Sequence, residues 1–220
     1  MKIEAVVFDL DGTLIDSVMA HVISWLESFK QHGFHKISLE DIEKLIGLPG
    51  LTIVKILLGE KGLRMYKSIR RLKDSIFLNL VLKGEVKLYT HTTEVLEVIK
   101  DMGLKVCLAT STPSYLLNVI LPRLGINELF DVIIPGDYVR KGKPDPEIFL
   151  KAFNHLKIPP HKGIIVGDSI YDIIPAKKIN SIAVLVLHGR KILLSDLEVK
   201  PDYIIDELME LIPIVKELLI

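Results

Sequence analysis

The chain has 220 residues, with 28 lysines and arginines against 28 aspartates and glutamates, and 49% of its residues are apolar. That length supports one domain, or one domain carrying a large insertion. The zero net charge excludes a protein that holds nucleic acid or anionic membrane by bulk electrostatics. Charge at Lys2 and Glu4 argues against a signal peptide, and no apolar run approaches the ~18 residues of a bilayer span. A single cysteine, Cys107, forms no internal disulfide. These features predict a soluble cytoplasmic protein with no nucleic-acid or membrane partner. The wealth of Lys, Glu, Ile and Leu beside a single glutamine, Gln31, leans towards a thermophilic composition.

In chain order, residues 3–8 are a short apolar run rich in β-formers and ended by Asp9, which predicts a buried strand. From Val18 to about Leu82 the apolar positions recur at helical spacing, as in Val22, Leu26 and Phe29. Breaks fall at Gly33, at Gly47 to Gly50 and at Gly59 to Gly62, so this stretch reads as a block of helices without a strand. Strands then alternate with helices. The predicted strands are Lys105 to Ala109, Val132 to Ile134, Gly163 to Val166, Ser181 to Leu187 and a short Tyr203 to Ile205. The predicted helices are Thr93 to Met102, Tyr115 to Leu124, Pro146 to Leu156, Ile173 to Ile179 and one at the C-terminus. Gly103 and Gly125 suit helix C-caps. Alternation of this kind means βαβ units and a parallel sheet. The expected architecture is therefore an α/β, Rossmann-like core with helices on both faces, residues 1–16 plus 88–220, interrupted by an all-helical cap, residues 17–87. The apolar stripe of the last helix, with Leu208, Leu211, Ile212 and Val215, is expected to cover the sheet.

Open parallel sheets bind ligands beyond the carboxyl ends of their strands. The first predicted strand leads into Asp9-Leu10-Asp11-Gly12-Thr13, the second into Thr110-Ser111-Thr112, the third by a loop to Lys143, and the fourth into Gly167-Asp168 with Asp172 four positions on. Asp9 and Asp11 are two apart in extended chain, so both face the cleft while Leu10 faces the core. Two such carboxylates repel unless a cation lies between them. With Asp168 they offer hard oxygen ligands, for which Mg²⁺ is the natural occupant. Thr110 and Ser111 supply hydroxyls and N–H groups suited to phosphate oxygens. Lys143, between Gly142 and Pro144 and so outside a helix, supplies a point positive charge. Asp168 and Asp172 share a face if a helix starts at the strand end. Cys107 reads as a small buried hydrophobe, Trp25 as core, and the seven histidines, which show no ligand spacing, as structural or surface residues.

Read in order, Asp9-Leu10-Asp11-Gly12-Thr13, Thr110, Lys143 and Gly167-Asp168-Ser169 with Asp172 resemble the four signatures of the haloacid dehalogenase superfamily. The long interval between Thr13 and Thr110 places a cap there, as in the subgroup of phosphoglycolate phosphatase and β-phosphoglucomutase. The short interval from Thr110 to Lys143 leaves no room for a second. The resemblance implies a nucleophile and metal ligand at Asp9, and a general acid and base at Asp11 with its carbonyl on the metal. It implies phosphoryl-binding groups at Thr110 and Lys143, beside the Ser111 hydroxyl read above, and metal-site carboxylates at Asp168 and Asp172. The implied activity is Mg²⁺-dependent hydrolysis of a small phosphorylated metabolite through an aspartyl-phosphate. A phosphomutase is the main rival. A dehalogenase needs neither Asp11 nor a metal, a phosphonate hydrolase would use a cap lysine, and a binding protein without turnover would not need the full set. Asn180 stands where relatives carry glycine, Tyr89-Thr90-His91 where they often have a Pro-Gly turn, and the Gly47-Leu48-Pro49-Gly50 turn resembles a cap loop that touches substrate.

Overall fold

The computed structural model describes residues 2–190 and 199–219. A six-stranded, wholly parallel sheet runs in the order β5-β4-β1-β6-β7-β8, where β1 is Ala5–Phe8, β4 Lys105–Ala109, β5 Val132–Ile134, β6 Gly163–Gly167, β7 Ile182–Val186 and β8 Tyr203–Ile205. Each strand is an apolar run because both of its faces are covered. Val6 and Phe8 join Val106, Leu108, Ile164 and Val166 in one apolar layer, whereas Ala5 and Val7 join Cys107, Ala109 and Ile165 in the other. Helices α5 (Thr92–Asp101), α6 (Ser114–Leu124) and α9 (Leu211–Leu218) cover the first layer, and α7 (Glu147–Leu156) and α8 (Ile170–Lys178) the second. Leu208, Leu211, Ile212 and Val215 lie buried against the sheet, as the sequence predicts. Cys107 is buried within β4.

Helices α1 (Val18–Gln31), α2 (Leu39–Glu43), α3 (Gly50–Arg64) and α4 (Tyr66–Leu82) form a third apolar cluster around Val22, Trp25, Phe29, Ile53 and Ile69. The expected break at Gly59 is a kink inside α3, with Gly59 at φ +59°, rather than an end. Two short strands were not expected from the sequence. Ile15–Asp16 (β2) and Lys87–Leu88 (β3) pair antiparallel, so the chain leaves and re-enters the sheet region side by side. Two residues are too few to show a strand period. Helix α8 starts at Ile170, three residues before the predicted start, with Ser169 extended at the N-cap position and its hydroxyl donated to Asp172 Oδ2 at 2.9 Å. Pro175 sits inside the helix. Asn180 at φ +58° and His91 at φ +63° take the left-handed positions.

Candidate active site

All the strands point the same way, so the predicted site residues gather at one edge, where the order reverses across β1. Directly beyond β1, Asp9 is buried and its carboxylate accepts from Lys143 Nζ at 2.5 Å. The same ammonium reaches Asp172 Oδ1 at 2.6 Å. One carboxylate oxygen from each of Asp9, Asp168 and Asp172 lies within 4.8 Å of the others. Gly12 and Gly167 make this convergence possible. A Cβ on Gly12 would strike the Asp168 carboxylate and one on Gly167 would strike Asp172, and Gly12 also sits at φ +78°, where a side chain is strained. Asp168 lies before the N-cap of α8 and Asp172 in its first turn, so their approach comes from the turn itself and not from a shared helical face.

Of the four expected metal-site residues, Asp9, Asp168 and Asp172 bring their carboxylates together, and the carboxylate of Asp11 lies outside that cluster. Asp11 Oδ1 accepts from Ser17 at 2.7 Å and pairs with His21 Nε2 at 2.8 Å, and its Oδ2 accepts from Thr112 Oγ1 at 2.6 Å. Hydrogen bonds on three sides turn it away from the other acids.

The electrostatics of the two aspartates diverge. Burial raises Asp9 well above the usual carboxylate range; Lys143 opposes this, and Asp172, Asp168 and Asp11 add to it. Burial would raise Asp11 too, but His21 and the hydrogen bonds from His21, Thr112 and Ser17 hold it below that range. Burial also raises Asp168, to about 6, helped by Asp172 and opposed by Arg190, whose Nη1 donates to it at 2.9 Å. Burial would lower Lys143, yet Asp172 and Asp9 raise it, so it stays a cation. Three carboxylates thus face two protein cations, Lys143 and Arg190. The excess negative charge and the hard oxygen donors fit a divalent cation among them.

The hydroxyls divide their work. Thr110 Oγ1 accepts from Thr112 N–H at 3.1 Å, which leaves its own proton to give. Ser111, expected to offer its hydroxyl to phosphate, donates it instead to the Gly47 carbonyl at 2.9 Å, fastening the α2–α3 turn to the sheet edge. That turn does reach the pocket: Ile46, Gly47, Leu48 and Gly50 line it together with Asp9, Asp11, Thr110 and Ser111. Arg140 and Lys141 are exposed, as expected of surface cations.

Four residues escaped the sequence reading. His21 was taken as structural or surface, yet it is buried and bridges Asp11 to Lys73, whose Nζ lies 2.8 Å from His21 Nδ1. Thr112 holds Asp11, and Arg70 and Lys73 form the pocket roof. His21 lies on α1 and Lys73 on α4, and only the packing of those helices joins them. The one signal available was the position of His21 soon after Asp11. Trp25 is core, as read, and also a pocket wall.

The fold and site together define a centre of clustered carboxylates and a lysine at the edge of an open parallel α/β sheet. The profile of the haloacid dehalogenase-like hydrolases matches residues 6–186, and the chain belongs to that family. A pyrophosphatase PpaX of Bacillus mycoides is 30% identical over 223 residues, covering 99% of each chain. A phosphorylated carbohydrates phosphatase of Thermotoga maritima is 34% identical over 172 residues, 76% of each chain. Among solved structures, a hydrolase from Pseudomonas syringae superposes with a TM-score of 0.86 at 26% identity, covering 97% of this chain and 98% of that one. A β-phosphoglucomutase from Clostridium difficile shares the fold, with a TM-score of 0.83 at 24% identity over 99% and 97% of the two chains. No helix among the described residues is long and apolar enough to cross a membrane.

Proposed function

We propose that this hydrolase is a Mg²⁺-dependent phosphatase of small phosphorylated compounds, working through a phosphoryl group carried on Asp9. The observation that carries the reading is the union, at one strand edge, of a buried carboxylate with a lysine and two further acids. Asp9, Asp168 and Asp172 would hold the cation, which screens the repulsion between an acidic nucleophile and a phosphate dianion. Lys143 and the Thr110 hydroxyl, with the backbone N–H of Ser111, would bind the equatorial oxygens, where charge gathers in the transition state. Asp9 forms its bond to phosphorus as the bond to the leaving oxygen breaks, and Asp11 gives that oxygen a proton. Water then attacks phosphorus and Asp11 takes its proton, which returns phosphate and free Asp9. The three donors around Asp11 favour its ionised form, the one the water step needs, and the proton it then takes from water is the one it gives to the next leaving oxygen.

The segment 17–87 is read as a cap over a core of 1–16 and 88–220. The β2–β3 ribbon at its root and the separate apolar cluster of its helices support this. Phosphate release from p-nitrophenyl phosphate, with Mg²⁺ and with chelator, tests the proposal. Asp9→Asn is expected to lower the rate by about 10³-fold or more and to abolish acid-stable labelling by phosphate. Equal rates in Asp9→Asn and the parent would remove the nucleophile from Asp9. Assay of isomerised sugar phosphate separates the mutase rival.

A further inference from the structure

The two cations that face the acidic cluster are held in different ways. Lys143 lies inside it, with its side chain 1% exposed. Arg190 reaches Asp168 from outside, and its side chain is 41% exposed. It belongs to the turn that follows β7. His188 at φ +49° and Gly189 at φ +77° reverse the chain there and send Arg190 back to the loop beyond β6. A left-handed conformation is costly at a histidine and persists only where its surroundings hold it. His188 Nε2 donates to the Thr13 carbonyl at 2.9 Å, and its ring stacks on Tyr89 with 3.5 Å between centroids. The N–H groups of His188 and Gly189 donate to the carbonyl and Oδ1 of Asp206, both at 2.8 Å. The turn is thus tied to the loop after β1 and to the segment after β8. From this base the guanidinium grips four acceptors. Nη1 donates to Asp168 Oδ2 at 2.9 Å, Nη2 to the Asp168 and Val186 carbonyls at 3.3 Å each, and Nε to the Leu187 carbonyl at 2.9 Å. A planar fork that holds both the side chain and the main chain of Asp168 fixes the rotation of its carboxylate.

A protein cation beside a metal site acts by charge and by geometry, with opposite signs. Its charge repels a divalent ion, and its grip places a ligand for that ion. Arg190 borders a cavity of about 160 Å³ on the far side of Asp168, so water screens its charge, and an exposed ion pair alters an equilibrium by no more than about fivefold. Loss of the partner that orients a metal-binding carboxylate costs about 10- to 100-fold in metal affinity. Geometry therefore outweighs charge. We propose that Arg190 is a positioning residue for the divalent cation, fixing the Asp168 carboxylate from behind and strengthening Mg²⁺ binding despite its own positive charge. This rests on the Mg²⁺-dependent reading of the same cluster and adds to it a residue that touches neither the phosphoryl group nor the metal.

Calorimetric titration of the metal-free parent and its variants with Mg²⁺ alone, at one pH, tests this. Arg190→Gln and Arg190→Lys are both expected to raise the Mg²⁺ dissociation constant by about tenfold or more, since neither side chain carries the fork. Lys177→Gln, which breaks an exposed ion pair with Asp202, should leave that constant as in the parent. In turnover the apparent constant for Mg²⁺ should rise in step, while KM for p-nitrophenyl phosphate at saturating Mg²⁺ shifts less than about threefold. An arginine with a merely structural role would lower the melting temperature of both Arg190 variants and leave their Mg²⁺ constants alone. One acting by charge would tighten Mg²⁺ binding in Arg190→Gln and leave Arg190→Lys like the parent. Either result overturns the proposal while the phosphatase reading stands. If the parent takes up no Mg²⁺, or Asp168→Asn takes it up as well as the parent does, the metal reading of the cluster fails with it.

Discussion

Two lysines at this site have nearly the same burial, 2% exposed for Lys143 and 3% for Lys73, and opposite electrostatics. On the floor, Lys143 sits between Asp9 and Asp172. Burial would lower it, but the two carboxylates raise it above the ordinary lysine value. On the roof, burial and the adjoining Arg70 bring Lys73 down to about 7, against the pull of Asp74 and Asp11. Desolvation acts alike on both, so the neighbours decide the sign. The floor lysine is a fixed charge for a fixed task. The roof lysine changes charge near neutral pH.

The largest effect should come from breaking the floor. Lys143→Met leaves Asp9 and Asp172 without their shared cation and removes a donor to the phosphoryl oxygens. Turnover is expected to fall by about 10² to 10³-fold, and the metal-free protein to lose about 3–5 kcal/mol of stability. Added Mg²⁺ should then raise the melting temperature of the variant more than that of the parent, because the carboxylates have lost a competing cation. Calorimetric scans with and without Mg²⁺ provide the measurement, and an equal shift in both proteins would place the cation elsewhere.

The roof gives a smaller effect of distinct pH sign. Lys73 in the fold sits at about 7 against 10.5 unfolded, so above pH 7 the unfolded chain binds more protons. Stability therefore gains from this group as pH rises from about 7 towards 10.5, and gains nothing from it below pH 7, where both states are protonated. The gain between pH 7 and 9.5 is up to about 3 kcal/mol. Lys73→Met should abolish that rise in denaturant titrations, whereas a parent curve flat over the same interval would contradict the assignment. The smallest effect belongs to Tyr115→Phe, which removes the hydroxyl that ties α6 to Asp74 on α4. A stability loss of about 1 kcal/mol and faster amide exchange in α4 are expected, with alkyl phosphate turnover little changed.

The residues on strand ends were legible in the sequence for a simple reason. In a parallel sheet, every residue that follows a buried strand arrives at the same edge, so Asp9, Thr110, Lys143 and Asp168 could be assembled from four separate apolar runs. The same reasoning put Asp11 on the cleft side, where it lines the pocket, but alternation gives the side a residue faces and not the partners that hold its carboxylate outside the acidic cluster. It missed the β2–β3 ribbon, whose strands are too short to carry a period, and it placed the start of α8 three residues too late.

What the sequence by itself determined is the order of buried strands and helices and, with it, the acidic floor, since burial and chain direction are local properties of apolar runs and the turns that end them. The roof was decided by tertiary structure alone. His21, Arg70 and Lys73 are ordinary polar positions on amphipathic helices, and no periodicity tells which of them faces solvent and which a pocket. They meet Asp11 and the Trp25 ring only because α1 and α4 pack against each other over the sheet edge. Such charges acquire their character from desolvation and from neighbours distant in the chain, two quantities that exist only once the helices have packed.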